Sequence, residues 1–331
     1  MPSNKRTYSE PLAIPPFSTT EHTHTFILLH GRGSNAERFG IEFLRAADLS
    51  ARLPTVKFVF PTASKRRSTV LKKIPINQWF DNYSLEDPGE RTELQIDGLC
   101  QIATFLRSLI ESEANKFASQ ENDGYKRIIL GGLSQGCAAG IFTFLAGGLG
   151  EDNSNEMEFR DRKLVGGFVG MSGWLPFNKQ LEDIFQSSRD VVDEDTFNPF
   201  AQPPPPSTDD GSVNDDGESA ELQTINHIRD ILDLPMLPSI STHNFQSPVF
   251  LGHGSADEKV SVNLGQSMVD FLQKRLDMDV TWKVYDGFGH WYKVPDEIDD
   301  IVHFLEKKVG VPVSKGSDLE LNSQTQRIHS R

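Results

Sequence analysis

The sequence predicts an open α/β sheet, mostly parallel, with helices on both faces, and three observations support this fold class. Short continuous apolar runs that end at Gly or Pro are typical of parallel strands covered on both faces. Segments with apolar residues at the helical period lie between these runs. Strand and helix patterns therefore alternate along the chain, as they do in βαβ units.

Each element is predicted from its own pattern. The apolar runs predict strands at Thr25–Leu29, Val56–Phe60, Arg127–Leu130, Val165–Val169, Pro248–Leu251 and Val280–Tyr285. Helical periodicity predicts helices at Glu90–Ser112, Gln135–Ala146, Glu221–Leu234, Val262–Leu276 and Pro295–Lys308. We expect right-handed crossovers between the parallel strands. We also expect a functional site at the carboxyl ends of the strands, where open α/β sheets bind their ligands.

The 331 residues indicate one large domain with polar additions. We expect an N-terminal extension over residues 1–23, a domain over 24–310 and a polar, flexible tail over 311–331. The segment Asp190–Glu221 holds ten acidic residues and no Lys or Arg, so it accounts for −10 of the net charge of −14. This composition predicts a mostly disordered acidic, Pro-rich insertion at about 187–246. Whether the insertion covers the site as a lid or lies elsewhere stays open.

Composition also excludes several classes of protein. The acidic balance argues against a nucleic-acid partner, because it leaves no excess of Lys and Arg to neutralise phosphates. The apolar runs fall far short of the ~20 residues that a transmembrane segment needs. Cys100 and Cys137 cannot build a disulfide framework, so we expect reduced thiols and a cytoplasmic location, with a nuclear pool left open.

Ser134 is the candidate nucleophile. It stands in Gly132-Leu133-Ser134-Gln135-Gly136, a G-x-S-x-G pattern that a predicted strand precedes and a predicted helix follows. A nucleophile elbow needs this strand–turn–helix context, since the sharp turn lifts the serine oxygen clear of the sheet. The alternative is a Gly-rich turn with an incidental serine. Ser172 also follows a strand but lacks the flanking glycines.

A serine hydroxyl needs a neighbouring base to take its proton, and a third group to orient that base. His290 follows the strand Val280–Tyr285, and Asp257 follows the strand Pro248–Leu251. The chain order is therefore serine, acid, histidine, one of the orders in which such triads occur. We predict His290 as the base and Asp257 as its orienting acid; Glu258 is the competing acid.

The negative oxygen of a tetrahedral intermediate needs two hydrogen-bond donors. One predicted donor is the backbone N–H of Gln135, at the start of a helix whose dipole favours negative charge. The other is the backbone N–H of Arg32, in the segment His30-Gly31-Arg32-Gly33 that follows the first strong strand. An ordinary Gly-rich turn is the alternative for this segment.

Together these segments resemble the acyl-protein thioesterase / phospholipase-carboxylesterase family of α/β-hydrolases. The resemblance runs from about Thr25 to about Leu305, insertions apart. The matching motifs are Leu28–Gly33, Phe60–Ala63, Trp79–Asp81, Ile129–Gly136, Ser172–Pro176, Gly252–Gly254 with Asp257, and Gly289-His290. The resemblance implies the α/β-hydrolase fold and the hydrolysis of esters or thioesters, with no metal and no organic cofactor.

The resemblance implies substrates such as acylated proteins, lysophospholipids or small carboxylic esters. Aromatic and apolar residues on strand-end loops are predicted to line an acyl pocket: Trp79, Phe80, Trp174, Leu175, Phe288 and Trp291. The sequence departs from the family pattern at two positions. Arg32 stands where the family usually has a small apolar residue, and Trp291 stands where it usually has a small residue. Three possibilities stay open: a broad or lipid-like hydrolase, a hydrolase of one small metabolite ester, and a catalytically silent binding module. A weak homodimer is also left open.

Overall fold

Strands and helices alternate along the chain. The computed structural model describes residues 8–17, 21–46, 48–84, 86–117, 124–149, 163–194, 219–239 and 245–314. Its strands are β1 Leu12–Ile14, β2 His24–Leu29, β3 Val56–Phe60, β4 Lys65–Ser68, β5 Ile74–Asn77, β6 Ile128–Leu133, β7 Gly167–Met171, β8 Val249–Gly254 and β9 Val280–Tyr285. Its α-helices are α1 Ala36–Ala46, α2 Leu49–Arg52, α3 Glu93–Ala114, α4 Gln135–Leu145, α5 Asn178–Glu194, α6 Ala220–Ile231, α7 Val262–Lys274 and α8 Asp296–Phe304. Short 3₁₀ turns span Asn115–Phe117 and Gly124–Arg127, and a π-helical turn spans Leu305–Val309.

Seven of these strands form one sheet in the order β1-β3-β2-β6-β7-β8-β9. All neighbouring pairs are parallel except β1 and β3, which run antiparallel. Strands β4 and β5 form a separate antiparallel hairpin. The predicted fold class, a mostly parallel sheet with helices on both faces, is confirmed.

The core lies on both faces of the sheet. In β2, Phe26 and Leu28 belong to the apolar cluster that also contains residues of α1 and α8, whereas Ile27 and Leu29 belong to the cluster with residues of α3, α4 and α7. Successive side chains of a strand point to opposite faces, so a strand covered on both must be apolar throughout. This is why continuous apolar runs identified the central strands.

The structure also contains elements that the pattern did not predict. Strand β1 lies in the segment that was predicted as an N-terminal extension, and it pairs with β3 along the register Leu12↔Phe60 to Ile14↔Phe58. Hairpin β4–β5 and helices α1, α2 and α5 were also not predicted. Strand β4 reads Lys65-Arg66-Arg67-Ser68, which carries no apolar signal at all. Its Arg66 is nevertheless buried and bonded to Asp97.

Helix α6 lies within the predicted insertion and matches the helix expected there. Ser219 caps its start by accepting a hydrogen bond from the Leu222 N–H at 3.2 Å. Its buried Arg229 donates to the Ala146 carbonyl at 2.8 Å, so the helix is anchored beside the end of α4. Residues 187–194 of the predicted insertion form the end of helix α5, whereas 195–218 and 240–244 lie outside the described residues, as do 1–7, 18–20 and the predicted tail from 315.

No helix in the described ranges combines the length and the apolarity needed to cross a bilayer. Within the same ranges, His, Cys, Asp and Glu side chains form no group of three or more that could hold a metal ion.

Candidate active site

Ser134 occupies a sharp turn between β6 and α4. Its backbone adopts φ 56° and ψ −122°, a region that L-residues with side chains rarely enter. The turn brings strand and helix so close that a Cβ on Gly136 would meet the backbone of Leu29 and His30. A Cβ on Gly132 would likewise meet the backbone of Gly136. Both glycines of the predicted elbow are therefore required by close approach.

His290 and Asp257 lie beside Ser134 as the sequence predicted. His290 Nε2 lies 3.0 Å from Ser134 Oγ, and His290 Nδ1 lies 2.7 Å from Asp257 Oδ2. An ionised carboxylate only accepts hydrogen bonds, so the ring proton belongs on Nδ1 and Nε2 is free to accept from the serine. The three side chains thus form one continuous line of hydrogen bonds.

The Asp257 side chain is fully buried yet accepts four hydrogen-bond contacts. Its Oδ1 accepts from the N–H groups of Lys259 and Val260 at 2.9 and 3.0 Å. Its Oδ2 faces His290 and, at 3.3 Å, His253 Nε2. Burial alone would raise the pKa of Asp257, but the bonds from His253, His290 and Val260 outweigh it and hold the pKa well below its usual range.

His253 is a member of this group that sequence reasoning missed. It is a buried residue of β8, four positions before Asp257, and its Nε2 also donates to the Val260 carbonyl at 2.9 Å. Its Nδ1 has no partner among the described residues and packs against the backbone of Gly265. The signal for it was its place inside the strand, where a polar ring must find a partner.

The predicted oxyanion loop lies against the elbow. A Cβ on Gly31 would lie 3.5 Å from Ser134 Cβ, which places the loop directly beside the nucleophile. His30 braces the loop, because its Nδ1–H donates to the Gly31 carbonyl at 2.7 Å and its Nε2 accepts from the Ala63 N–H at 3.0 Å. Burial lowers the pKa of His30 to about 4, so the ring is neutral near pH 7 and can play both parts.

Neither the Arg32 N–H nor the Gln135 N–H donates to a protein acceptor within the described part of the chain. Gln135 begins α4, where the first N–H groups have no partner inside the helix. The two groups that the sequence predicted as oxyanion donors are therefore both available to a ligand.

Trp79 and Phe80 do not line the pocket, so that part of the prediction is wrong. Both side chains are fully buried. Trp79 Nε1 donates to the His30 carbonyl at 2.7 Å, and Gln135 bonds to the Trp79 N–H and the Phe80 carbonyl through its side-chain amide. The segment thus ties the oxyanion loop to the elbow. A strand-end position suggested a pocket residue, but the direction of the side chain was set by packing.

A cavity of about 340 Å³ opens onto Ser134 and His290. Trp174 and Trp291 line it, as predicted. Leu175 is buried and Phe288 half-buried, and neither belongs to its wall, so both predictions are corrected. The remaining wall residues are Gly31, Arg32, Ser34, Phe39, Ser84, Pro88, Leu133, Gln135, Lys259 and Val260. Helix α6 contributes none of these wall residues.

Two models of known protein families match this chain. A model described as phospholipase/carboxylesterase matches residues 17–193, which is more than half of the chain and includes Ser134 and the oxyanion loop. The chain belongs to the phospholipase/carboxylesterase family. A second model, described as the prolyl oligopeptidase family, matches residues 219–311, where Asp257 and His290 lie. As a member of the phospholipase/carboxylesterase family, the protein is a serine hydrolase that acts on esters or thioesters.

Curated relatives of this phospholipase/carboxylesterase protein match over nearly the whole chain. It is 26% identical to acyl-protein thioesterase 1 of Yarrowia lipolytica, over 87% of this chain and 93% of the relative. It is 27% identical to acyl-protein thioesterase 1 of Mycosarcoma maydis, over 90% of this chain and 96% of the relative.

Solved structures show the same fold. The match to the crystal structure of Zea mays acyl-protein thioesterase 2 has a TM-score of 0.52 at 22% identity, covering 91% of this chain and 100% of that one. The match to Arabidopsis thaliana SOBER1 has a TM-score of 0.53 at 17% identity, covering 86% and 99%. At these identities the similarity concerns the α/β-hydrolase fold of the family.

Proposed function

We propose that this protein hydrolyses carboxylic esters or thioesters through an acyl-enzyme on Ser134. The observation that supports it most directly is the line of hydrogen bonds from Ser134 through His290 to Asp257, at the wall of a cavity. Each member has the residue type and the orientation that its role requires.

In the first step, Ser134 Oγ attacks the carbonyl carbon of the substrate while His290 Nε2 takes its proton. Asp257 holds the Nδ1–H and stabilises the imidazolium that forms, because its depressed pKa keeps it ionised. His290 then returns the proton to the leaving alcohol or thiol as the C–O or C–S bond breaks. The acyl group remains on Ser134 as an ester.

In the second step, a water molecule takes the place of the leaving group. His290 removes one of its protons, and the hydroxide attacks the acyl carbon. The bond to Ser134 Oγ then breaks, His290 protonates that oxygen, and the carboxylic acid leaves. In both steps the backbone N–H groups of Arg32 and Gln135 donate to the negative oxygen.

The substrate class is narrowed by the cavity and by the relatives. Phe39, Leu133, Trp174 and Trp291 give the wall an apolar character that suits an acyl chain. The relatives named acyl-protein thioesterase 1 favour a thioester on an acylated protein as the physiological substrate. A volume of about 340 Å³ lies near the lower end of ligand pockets, roughly 300–1,000 Å³. This small volume instead favours the other candidate function, the hydrolysis of one small ester.

The test is turnover of 4-nitrophenyl esters from acetate to palmitate, together with octanoyl and palmitoyl thioesters, by wild type and two serine variants. Ser134→Ala should lower kcat by roughly 10⁴-fold or more, since a triad acts as a unit. Ser172→Ala is the matched control, because Ser172 is a buried strand-end serine with a positive φ outside the hydrogen-bonded line. It should retain most of the turnover.

The preferred chain length then separates the candidates. A maximum at acetate or butyrate indicates a small-ester enzyme, and a maximum at long chains indicates a lipid or acyl-protein hydrolase. Equal rates in wild type and Ser134→Ala would refute the acyl-enzyme. No turnover of any ester, with no labelling of Ser134 by a fluorophosphonate, would indicate a silent binding module.

A further inference from the structure

The cavity beside Ser134 is cationic. Two of its wall residues are Arg32 and Lys259, and the wall contains no Asp or Glu among the described residues. Asp257 lies behind His290 and is already saturated with hydrogen bonds. Charges further than about 8 Å away are largely screened at physiological ionic strength, so the acidic surface elsewhere does not cancel this local charge.

The guanidinium of Arg32 is half-buried and has no hydrogen-bond partner among the described residues. Its Nη1 is buried without a hydrogen bond, and it makes no ion pair with a carboxylate in the described ranges. Desolvation lowers the pKa of Arg32, and the negative charge of Asp81 opposes this effect. An arginine nonetheless keeps its charge at neutral pH.

Asp81 does not serve as the missing partner. Its Oδ1 accepts from the Thr69 N–H at 2.8 Å, and its Oδ2 accepts from the Thr69 hydroxyl at 2.5 Å. Gln78 and Lys73 approach the same carboxylate at 3.4 and 3.9 Å. The Asp81 carboxylate therefore stabilises the hairpin side of the loop and leaves Arg32 directed at the cavity.

A buried, unpaired donor on a charged group is unfavourable in the empty protein, and native proteins rarely retain one without a use. The planar guanidinium fork matches the oxygens of a carboxylate or a phosphate. The backbone N–H of the same residue is an oxyanion donor, so the side chain lies close to the scissile bond. Lys259 adds a second cation, and its backbone is held by Asp257.

We propose that Arg32 binds an anionic group, a carboxylate or a phosphate, that the substrate carries near its scissile carbonyl. Lys259 supports the same charge. The inference rests on the proposed ester or thioester hydrolysis and specifies its substrate class. It predicts that an anionic ester is preferred over a neutral ester of equal length.

Two substrate pairs test on which side of the scissile bond the anion lies. The acyl-side pair is the mono-4-nitrophenyl ester of adipic acid against 4-nitrophenyl hexanoate, because the shorter diacid keeps its free carboxylate near the scissile carbonyl. The leaving-group pair is 1-octanoylglycerol 3-phosphate against 1-octanoylglycerol. The measured quantity is kcat/KM for the anionic member divided by that for the neutral member. This quotient cancels any general damage to the oxyanion loop.

In one or both pairs, Arg32→Leu should lower this quotient by roughly 10- to 100-fold, the range expected for a hydrogen-bonded charge pair. Arg32→Lys should lower it less, because it keeps the charge without the fork. Arg38→Leu is the matched control, since Arg38 is an exposed arginine on α1 outside the cavity wall, and it should leave the quotient unchanged. High salt should lower the wild-type quotient.

An equal loss on anionic and neutral esters in both pairs would overturn the proposal, because Arg32 would then act on the oxyanion of every substrate. A binding measurement distinguishes a failure of the anion site from a failure of the proposed hydrolysis. Adipate and glycerol 3-phosphate are titrated calorimetrically into Ser134→Ala and into Ser134→Ala/Arg32→Leu. Weaker binding of either anion in the double variant supports the anion site even if no ester is hydrolysed. Equal binding of both overturns it.

Discussion

Two buried carboxyl groups lie beside strand β8, and near neutral pH one is ionised whereas the other is protonated. Asp257 follows the strand and accepts four contacts, which hold its pKa well below the usual range. Glu297, on α8, lies directly against the backbone of Gly252, and among the described residues its carboxyl accepts a hydrogen bond from the Lys293 N–H alone, at 2.9 Å. Burial, with a smaller contribution from Asp300, raises the pKa of Glu297 to about 8.

The difference shows that burial by itself does not decide whether a carboxyl group is ionised. Both side chains are almost completely inaccessible to solvent. What differs is the number of donors, because hydrogen bonds to the charged form are what offset its desolvation. Asp257 is thereby ionised and able to orient His290, whereas Glu297 stays protonated near neutral pH and its Oε1 has no partner among the described residues.

The largest expected effect comes from neutralising Asp257, the carboxylate that accepts four hydrogen-bond contacts. Asp257→Asn keeps the size of the side chain but removes the acceptor that holds the proton on His290 Nδ1. We expect kcat for 4-nitrophenyl esters to fall by about 10⁴-fold, as when a triad histidine is held in the wrong tautomer. Glu258→Gln, at the exposed neighbouring acid, is the control and should retain activity. Retention of activity in Asp257→Asn with loss in Glu258→Gln would reverse the assignment of the acid.

The second prediction concerns Glu297 and pH. The folded protein keeps the Glu297 proton up to about pH 8, whereas the unfolded chain loses it above about 4.5. The folded state therefore binds one more proton between these values, so this group makes stability fall as pH rises from about 5 to 8. The full separation of the two pKa values corresponds to at most about 5 kcal/mol.

Glu297→Gln should remove this pH dependence and raise the free energy of unfolding by roughly 2 kcal/mol at pH 8 relative to wild type. Urea unfolding of both proteins at pH 5 and pH 8 measures it. Asp296→Asn, at an exposed carboxylate of the same helix, should follow the wild-type pH dependence. If Glu297→Gln loses stability equally at both pH values, the contrast with Asp257 is not one of charge state.

The smallest expected effect comes from removing one donor to Asp257. His253→Phe keeps a ring beside Trp282 but leaves the Val260 carbonyl without its donor. We expect a loss of about 1–2 kcal/mol in the free energy of unfolding. We also expect kcat to fall by roughly 10-fold, because Asp257 keeps its three other contacts.

His253→Gln offers an N–H in place of Nε2 and should recover part of both losses. Chemical unfolding and ester turnover of the two variants measure these effects. Unchanged stability and turnover in His253→Phe would mean that Asp257 is held without His253.

The fold was predictable where the pattern reflects burial. Strands β3 and β9 match their predicted bounds, and the other predicted strands shift by one to three residues. Strand β1 was missed because three residues at an edge carry too little pattern, and β4 was missed because its residues are polar. A very short edge strand or a polar hairpin strand satisfies its hydrogen bonds without a two-sided apolar core, so composition does not reveal it, although it did reveal the six-residue edge strand β9.

Sequence by itself determined the roles of Ser134, Asp257 and His290 as candidates, because each follows a strand and parallel strands end at one edge. It also indicated the family, through the combination of matching motifs, and it supplied the prediction that the loop containing Arg32 is the oxyanion loop. Only the tertiary structure decided which of the predicted pocket residues reach the cavity: Trp174 and Trp291 do, and the other four do not. It likewise decided which buried carboxyl is charged. Both depend on the direction of side chains and the donors they meet, which are properties of packing between segments distant in sequence.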